Sequence, residues 1–115
     1  ATIQGNEQLL LELLANLLEN ACKYAGDRGD ITVSTSTEGS NAILEIKDQG
    51  PGIPEELRQL VTERFFRANK DEDGSGLGLA IVKEITLVHR GTMQITSGDN
   101  DQGTCIRCLF RCMSD

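Results

Sequence analysis

Apolar residues recur at helical spacing near the start of the chain. Leu10, Leu13, Leu17 and Ala21 fall in one stripe when successive residues turn by about 100°. This period predicts a helix over residues 6–25, with Asn6 as N-cap, Glu7 in the first turn and Gly26 as the stop. After a turn at 26–30 the period drops to two. Residues 31–37 alternate apolar and hydroxyl side chains and are rich in β-branched types, so a half-buried strand is expected there. A hairpin-like turn at 38–41 leads to a second strand at 42–48. Pro54, followed by Glu55 and Glu56, opens a short helix expected to reach about Phe65. Residues 67–75 have no apolar period and read as a mobile surface loop. Leu77, Ile81, Ile85 and Val88 restore the helical period over 77–89, and two strands at 92–97 and 104–111 flank a loop at 98–103.

Polar residues interrupt this pattern in three places. On the first helix Asn16, Asn20 and Lys23 form a second stripe beside the apolar one. An amide at the border of a core needs a partner, because leaving one buried and unpaired costs about 1–3 kcal/mol. A ligand or metal would supply it, and so would solvent at the rim. In the second strand Leu44, Ile46 and Asp48 share a face. If the aliphatics face the core, Asp48 points inward, which is costly unless a donor meets it; the alternative is an Asp that caps the turn. Gly50 and Gly52 follow, leaving bare backbone that a flat group could approach closely. Finally, Gly74-Ser-Gly-Leu-Gly-Leu79 precedes a helix, where free N–H groups and the helix dipole favour an anion. No strand leads straight into it, so it is not the dinucleotide fingerprint.

Composition narrows the classes. The chain has 115 residues, enough for one domain that buries about 65% of the surface its unfolded chain exposes. Three Phe, one Tyr and no Trp leave a core of Leu, Ile, Val and Ala and argue against base stacking on an aromatic platform. A formal net charge of −7 repels nucleic acid and anionic membranes, so a bound anion must be met by local donors or a cation. There is no apolar run of spanning length and no signal-peptide pattern, so a soluble piece of a longer protein is expected. The four Cys read as reduced, cytosolic thiols. Cys105, Cys108 and Cys112 have a spacing that suggests metal, but in a strand residues three apart face opposite sides.

Taken in order, these residues resemble the catalytic ATP-binding domain of sensor histidine kinases, within the wider group of gyrase, Hsp90 and MutL ATPases. Residues 16–25 resemble the N box, Asp48-Gln-Gly-Pro-Gly52 the G1 box, Glu63-Arg-Phe-Phe-Arg67 the F box and residues 74–79 the G2 box; Gly103-Thr104 also fits. The resemblance implies an α/β two-layer sandwich: a mixed, mostly antiparallel sheet with three helices on one face, and residues 68–76 as a lid. It implies ATP and Mg2+ as cofactors. Asn20 would hold Mg2+, with Asn16 and Lys23 on phosphate oxygens and Tyr24 bordering the nucleotide. Asp48 would accept from the adenine amino group, Gly50 and Gly52 would let the ring come close, and Thr104 would support that contact through water. Arg67 would approach the terminal phosphate, while Gly76, Leu77, Gly78 and Leu79 offer backbone N–H groups. Ile53, Phe66 and Ser75 complete the expected nucleotide-binding set, and Asn16, Lys23 and Arg67 the catalytic one.

Hydrolysing members of the wider group carry a water-activating Glu four residues before the metal Asn. Here that position is Asn16, and Glu19 projects about 100° away from Asn20. Transfer to a histidine is therefore favoured over hydrolysis. His89, the single histidine, falls at what is a structural turn in the family, so the phosphoacceptor is expected on a separate histidine-containing dimerisation domain, with a response regulator receiver domain downstream. The usual Gly-Gly after that histidine is Arg90-Gly91 here. The isolated domain is expected to be a monomer and the parent a homodimer. A cytoplasmic domain of an inner-membrane sensor protein is the family expectation. Two alternatives share the fold: a nucleotide-holding regulatory module that transfers nothing, and a serine kinase of the anti-sigma type.

Overall fold

Asn6 caps the first helix, its Oδ1 accepting the backbone N–H of Leu9 at 3.0 Å. The computed structural model describes residues 3, 5–25, 30–50, 52–53, 55–58, 60–62, 78–98 and 103–112, with the backbone alone at 23–25 and 61. Helix α1 (Glu7–Ala25) is followed by strands β1 (Thr32–Glu38) and β2 (Asn41–Asp48). Two short 3-10 turns, Glu55–Leu57 and Leu60–Thr62, come next. Helix α2 (Gly78–Val88) and strands β3 (Thr92–Ser97) and β4 (Thr104–Arg111) complete the order.

The strands lie in the order β1-β2-β4-β3, and every pair is antiparallel. The expected two layers are present, but where a mixed sheet and three helices were expected, the described residues form a sheet that is antiparallel at every pairing and two α-helices. Strands β2 and β3 are parallel but are not neighbours. These two strands run the same way because α2 lies between them in the chain, but the hairpin partner β4 is inserted between them. Where one short helix was expected after Pro54, the described residues make two single turns. Arg58 N–H bonds to Glu55 O, an i to i+3 link of 3.2 Å. So short a segment gains little from α-helical propagation and keeps the tighter winding.

Period-two alternation on β2 and β3 and the helical stripe meet in one core, whereas β1, expected to be half-buried, is exposed along its whole length at the edge of the sheet. Leu13, Leu17 and Ala21 of α1, Leu79, Val82 and Ile85 of α2, Ile46 of β2, and Ile106, Cys108 and Phe110 of β4 are all buried in it. Ile106 is the direct partner of both Ile46 and Ile95, so one side chain from each of three strands stacks beneath the helices. Each fully buried Leu or Val contributes about 1.5–3 kcal/mol. The opposite face of the sheet carries charge: Arg107 lies 3.2 Å from Glu45 and 3.3 Å from Glu38, and Lys47 lies 3.4 Å from Glu45. Cys105 belongs to this outer face and Cys108 to the inner one, as the strand period requires. The four thiols are free. No helix among the described residues is long and apolar enough to cross a membrane.

Helix α2 ends in a Schellman arrangement. Gly91 N–H bonds to Thr86 O at 2.8 Å and Arg90 N–H to Leu87 O at 2.9 Å. Arg90 takes the left-handed conformation, φ 59°, that glycine usually fills. The glycine that follows serves a different purpose: a Cβ on Gly91 would lie 2.5 Å from Leu109 O. The departure from Gly-Gly thus keeps the turn and places its strain on Arg90.

Candidate functional site

Asp48 ends β2 with its side chain 7% exposed, on the same face as Ile46. Its Oδ1 accepts the Gly50 N–H at 2.9 Å. Both readings left open by the sequence therefore hold at once: the acid is turned inward and it caps the turn. Its cross-strand partner is Thr104, 4% exposed, at the start of β4. Two residues of opposite polarity to the core thus lie side by side at the end of two central strands.

The backbone around them is bare. Gly52 has φ +82°, and a Cβ there would lie 2.9 Å from Gly103 O. Gly103 has φ +74°, and a Cβ on it would overlap the carbonyl oxygen of Asp48. Larger residues are excluded at both points by space and by backbone conformation. Gly50 is buried, while Gly52 and Ile53 are half-buried, and Ile53 and Leu57 pack against the core.

A second cluster forms where the helices meet. Asn16 and Asn20 are half-buried on successive turns of α1. Asn16 Nδ2 donates to Glu12 O at 2.8 Å, which uses one of its two N–H groups. Its Oδ1 lies 3.7 Å from where a Cβ on Gly78 would be, so the amide borders the first residue of α2. Leu79 turns its side chain into the core, leaving its backbone as the part available at this helix start. The amide stripe, the bare helix start and the Asp48 turn all border one core. Leu17 and Ala21 follow Asn16 and Asn20 in sequence, Leu79 follows Gly78, and Ile46 precedes Asp48 on the same face.

Lys23 and Tyr24 lie in the last turns of α1, where the backbone alone is described. Phe66, Arg67, Ser75, Gly76 and Leu77, together with the expected lid at 68–76, lie outside the described residues. One feature of the site was not foreseen. Arg58 donates through Nε to Ile53 O at 3.2 Å and through Nη2 to Ser97 Oγ at 3.1 Å. An arginine in a charged, turn-rich stretch gives no sequence signal of such a role.

Known proteins share the sequence pattern and the fold of this chain. The model of the histidine kinase-, DNA gyrase B- and HSP90-like ATPases matches residues 5–113. The chain belongs to that family. Among the relatives of this ATPase domain is the signal transduction histidine-protein kinase/phosphatase MprB of Mycobacterium sp. (strain KMS), 44% identical over 108 residues, covering 89% of this chain and 21% of that protein. The sensor protein KdpD of Escherichia coli (strain K12) is 43% identical over 102 residues, covering 86% of this chain and 11% of KdpD. Among solved structures, a mycobacterial sensor histidine kinase MprB superposes with a TM-score of 0.85 at 39% identity, over 96% of this chain and 76% of that one. The chain therefore has the fold of histidine kinase catalytic domains, and it spans a small part of the full-length relatives it matches.

Proposed function

We propose that this ATPase domain binds ATP with Mg2+ and donates the γ-phosphoryl group to a histidine on a separate dimerisation domain. The observation that carries this reading is the buried pair Asp48 and Thr104 beside a turn that only glycine can make. A carboxylate so placed suits the exocyclic amine of adenine, and the missing Cβ atoms at Gly52 and Gly103 let their backbones pack against each other and against Asp48, which shapes the turn beside the acid. The donor set also fits a triphosphate and its metal. Asn20 would be a protein oxygen ligand for Mg2+, which keeps most of its waters. Asn16, Lys23 and Arg67 would meet phosphate oxygens, with N–H groups from Gly76, Leu77, Gly78 and Leu79; Tyr24, Ile53, Phe66 and Ser75 would border the nucleotide.

Bound Mg2+ would neutralise charge on the phosphates, and the chain's residues would hold the chain of phosphates in line. An imidazole nitrogen of the acceptor attacks the γ-phosphorus, the bond to the bridging oxygen breaks, and ADP leaves with the electron pair. The imidazole proton passes to a neighbouring group on the acceptor domain. Such a domain would act in two-component signalling, serving a homodimeric sensor and a response regulator receiver domain as partners.

Titration calorimetry with a non-hydrolysable ATP analogue, with and without Mg2+, tests the binding half. Asp48→Asn should abolish measurable binding, and Asn20→Ala should remove its Mg2+ dependence. Wild-type protein that binds no nucleotide would end the proposal. Labelled ATP mixed with a histidine-bearing dimerisation domain tests transfer. An acid-labile phosphoproduct supports it, an acid-stable one points to a serine kinase, and binding without transfer points to a regulatory module.

A further inference from the structure

We propose that Arg58 is the positioning residue that sets how the Asp48 turn reads a base, an inference that rests on the adenine reading of that site. Four polar positions form a closed circuit around it. Asp48 pairs with Thr104 across β2 and β4, and Thr104 pairs with Ser97 across β4 and β3. Ser97 Oγ accepts from Arg58 Nη2 at 3.1 Å, and Arg58 Nε returns the circuit to Ile53 O at 3.2 Å. From Ile53 the chain leads back through Gly52, whose missing Cβ faces Gly103, to Asp48 itself. The side chain thus ties the edge strand of the sheet to the turn that follows the acid.

Arginine suits this task because its donors are fixed in one planar fork, so two acceptors held by different elements fix each other's separation. Both acceptors are neutral, which leaves the guanidinium's charge unspent on a carboxylate at these two contacts. A lysine could bond either acceptor but would not define the angle between them. Without the fork, Ile53 keeps its packing on the core but loses its tie to β3, and the space beside the Asp48 carboxylate loses its definition. The amide stripe of α1 and the start of α2 take no part in the circuit. Phosphate contacts should therefore survive a change at Arg58, and base discrimination should not.

Equilibrium binding of non-hydrolysable ATP and GTP analogues, both with Mg2+, separates these effects. Wild type should prefer the adenine nucleotide, since a carboxylate accepts from an exocyclic amine and repels a carbonyl at the same position. Arg58→Met should weaken the ATP analogue about tenfold, the loss expected of a charged hydrogen bond, while leaving the GTP analogue unchanged. Arg58→Lys should fall between, and Ser97→Ala should lose about threefold for the ATP analogue alone. If Arg58→Met does not fold, Ser97→Ala carries the same test. Unchanged selectivity, or equal weakening of both nucleotides as a general destabilisation would give, overturns the proposal. Failure of wild type to bind either analogue is a different result, and it would remove the adenine reading on which this one stands.

Discussion

His89 Nε2 accepts a hydrogen bond from the backbone N–H of Asn6 at 3.0 Å, joining the end of one helix to the start of the other. Its other nitrogen faces Ile85 O at 2.8 Å. A carbonyl can only accept, so Nδ1 carries the hydrogen and Nε2 offers its lone pair. The ring also meets Phe110 edge to face, with centroids 6.2 Å apart. It lies over Gly5, where a Cβ would come within 2.7 Å of the ring. Both nitrogens thus have structural work.

Replacing the ring should therefore loosen the contact between the helices. We expect His89→Ala to lose about 3 kcal/mol, from two hydrogen bonds and one aromatic pair, measured by urea denaturation. The same measurement on Gly5→Ala should show a loss in wild type and a smaller loss in the His89→Ala background, where the ring is gone and only the contact with Leu10 Cδ1 at 2.9 Å remains. Equal losses in both backgrounds would contradict this account.

Gly103 and Gly39 distinguish crowding from backbone conformation. Both have positive φ, +74° and +61°, but a Cβ on Gly39 meets nothing within 4 Å. Gly39→Ala should cost about 1 kcal/mol for the left-handed conformation alone. Gly103→Ala, which also drives a methyl into the Asp48 carbonyl, should cost about 3 kcal/mol. Urea midpoints of the two variants check the order, and Gly103→Ala should also impair nucleotide binding through its contact with the Asp48 turn.

Arg90 offers a gain. At φ 59° it holds a conformation that glycine adopts without strain, and its hydrogen bonds are made by the backbone. Arg90→Gly should stabilise the chain by about 1 kcal/mol, raising Tm by about 4 °C. Calorimetry showing a lower Tm would mean that the arginine side chain makes a contact worth more than the strain.

The buried thiols give a pH dependence with a definite sign. Burial pushes Cys108 up, outweighing its hydrogen bond with Thr86; burial and then Glu45 push up Cys105, outweighing Thr96, Lys47 and Arg107. A raised folded pKa means that their stabilisation is whole below the ordinary thiol value of about 8.5 and is lost as pH rises through the folded values. Urea midpoints should fall between pH 8 and 9.5, and fall less in a Cys105→Ala, Cys108→Ala double variant. In native protein at pH 7.5 a thiol reagent should modify exposed Cys22 first, with Cys105 and Cys108 reacting only after unfolding.

Most of the fold could be read from periodicity. The bounds of α1 followed from Asn6 and the leucine stripe, and β1 and β2 from their alternation, although β1 turned out to be an exposed edge strand that buries neither face. The segment after Pro54 kept a helical spacing at Leu57 and Leu60 yet wound more tightly, since local hydrogen bonding prevails where a segment is too short for propagation to matter. At the candidate site, Asp48 and Gly52 were legible because their residue types conflict with their surroundings, an acid on an apolar face and glycines at the end of a strand, whereas Thr104 was reached only through the family resemblance. Arg58 was not, because its bonds reach 5 and 39 positions along the chain, and no local pattern encodes them.

Strand β4 pairs on both sides, so its register is set twice over. Slipping it by one residue would turn every side chain to the opposite face. Cys105 would then stand beside Asp48 in place of Thr104, and Arg107 would be driven in where Ile106 stacks. Insertions and deletions within residues 104–111 should thus be far less tolerable than point changes of the same size, because the strand behaves like a reading frame shared by its two neighbours.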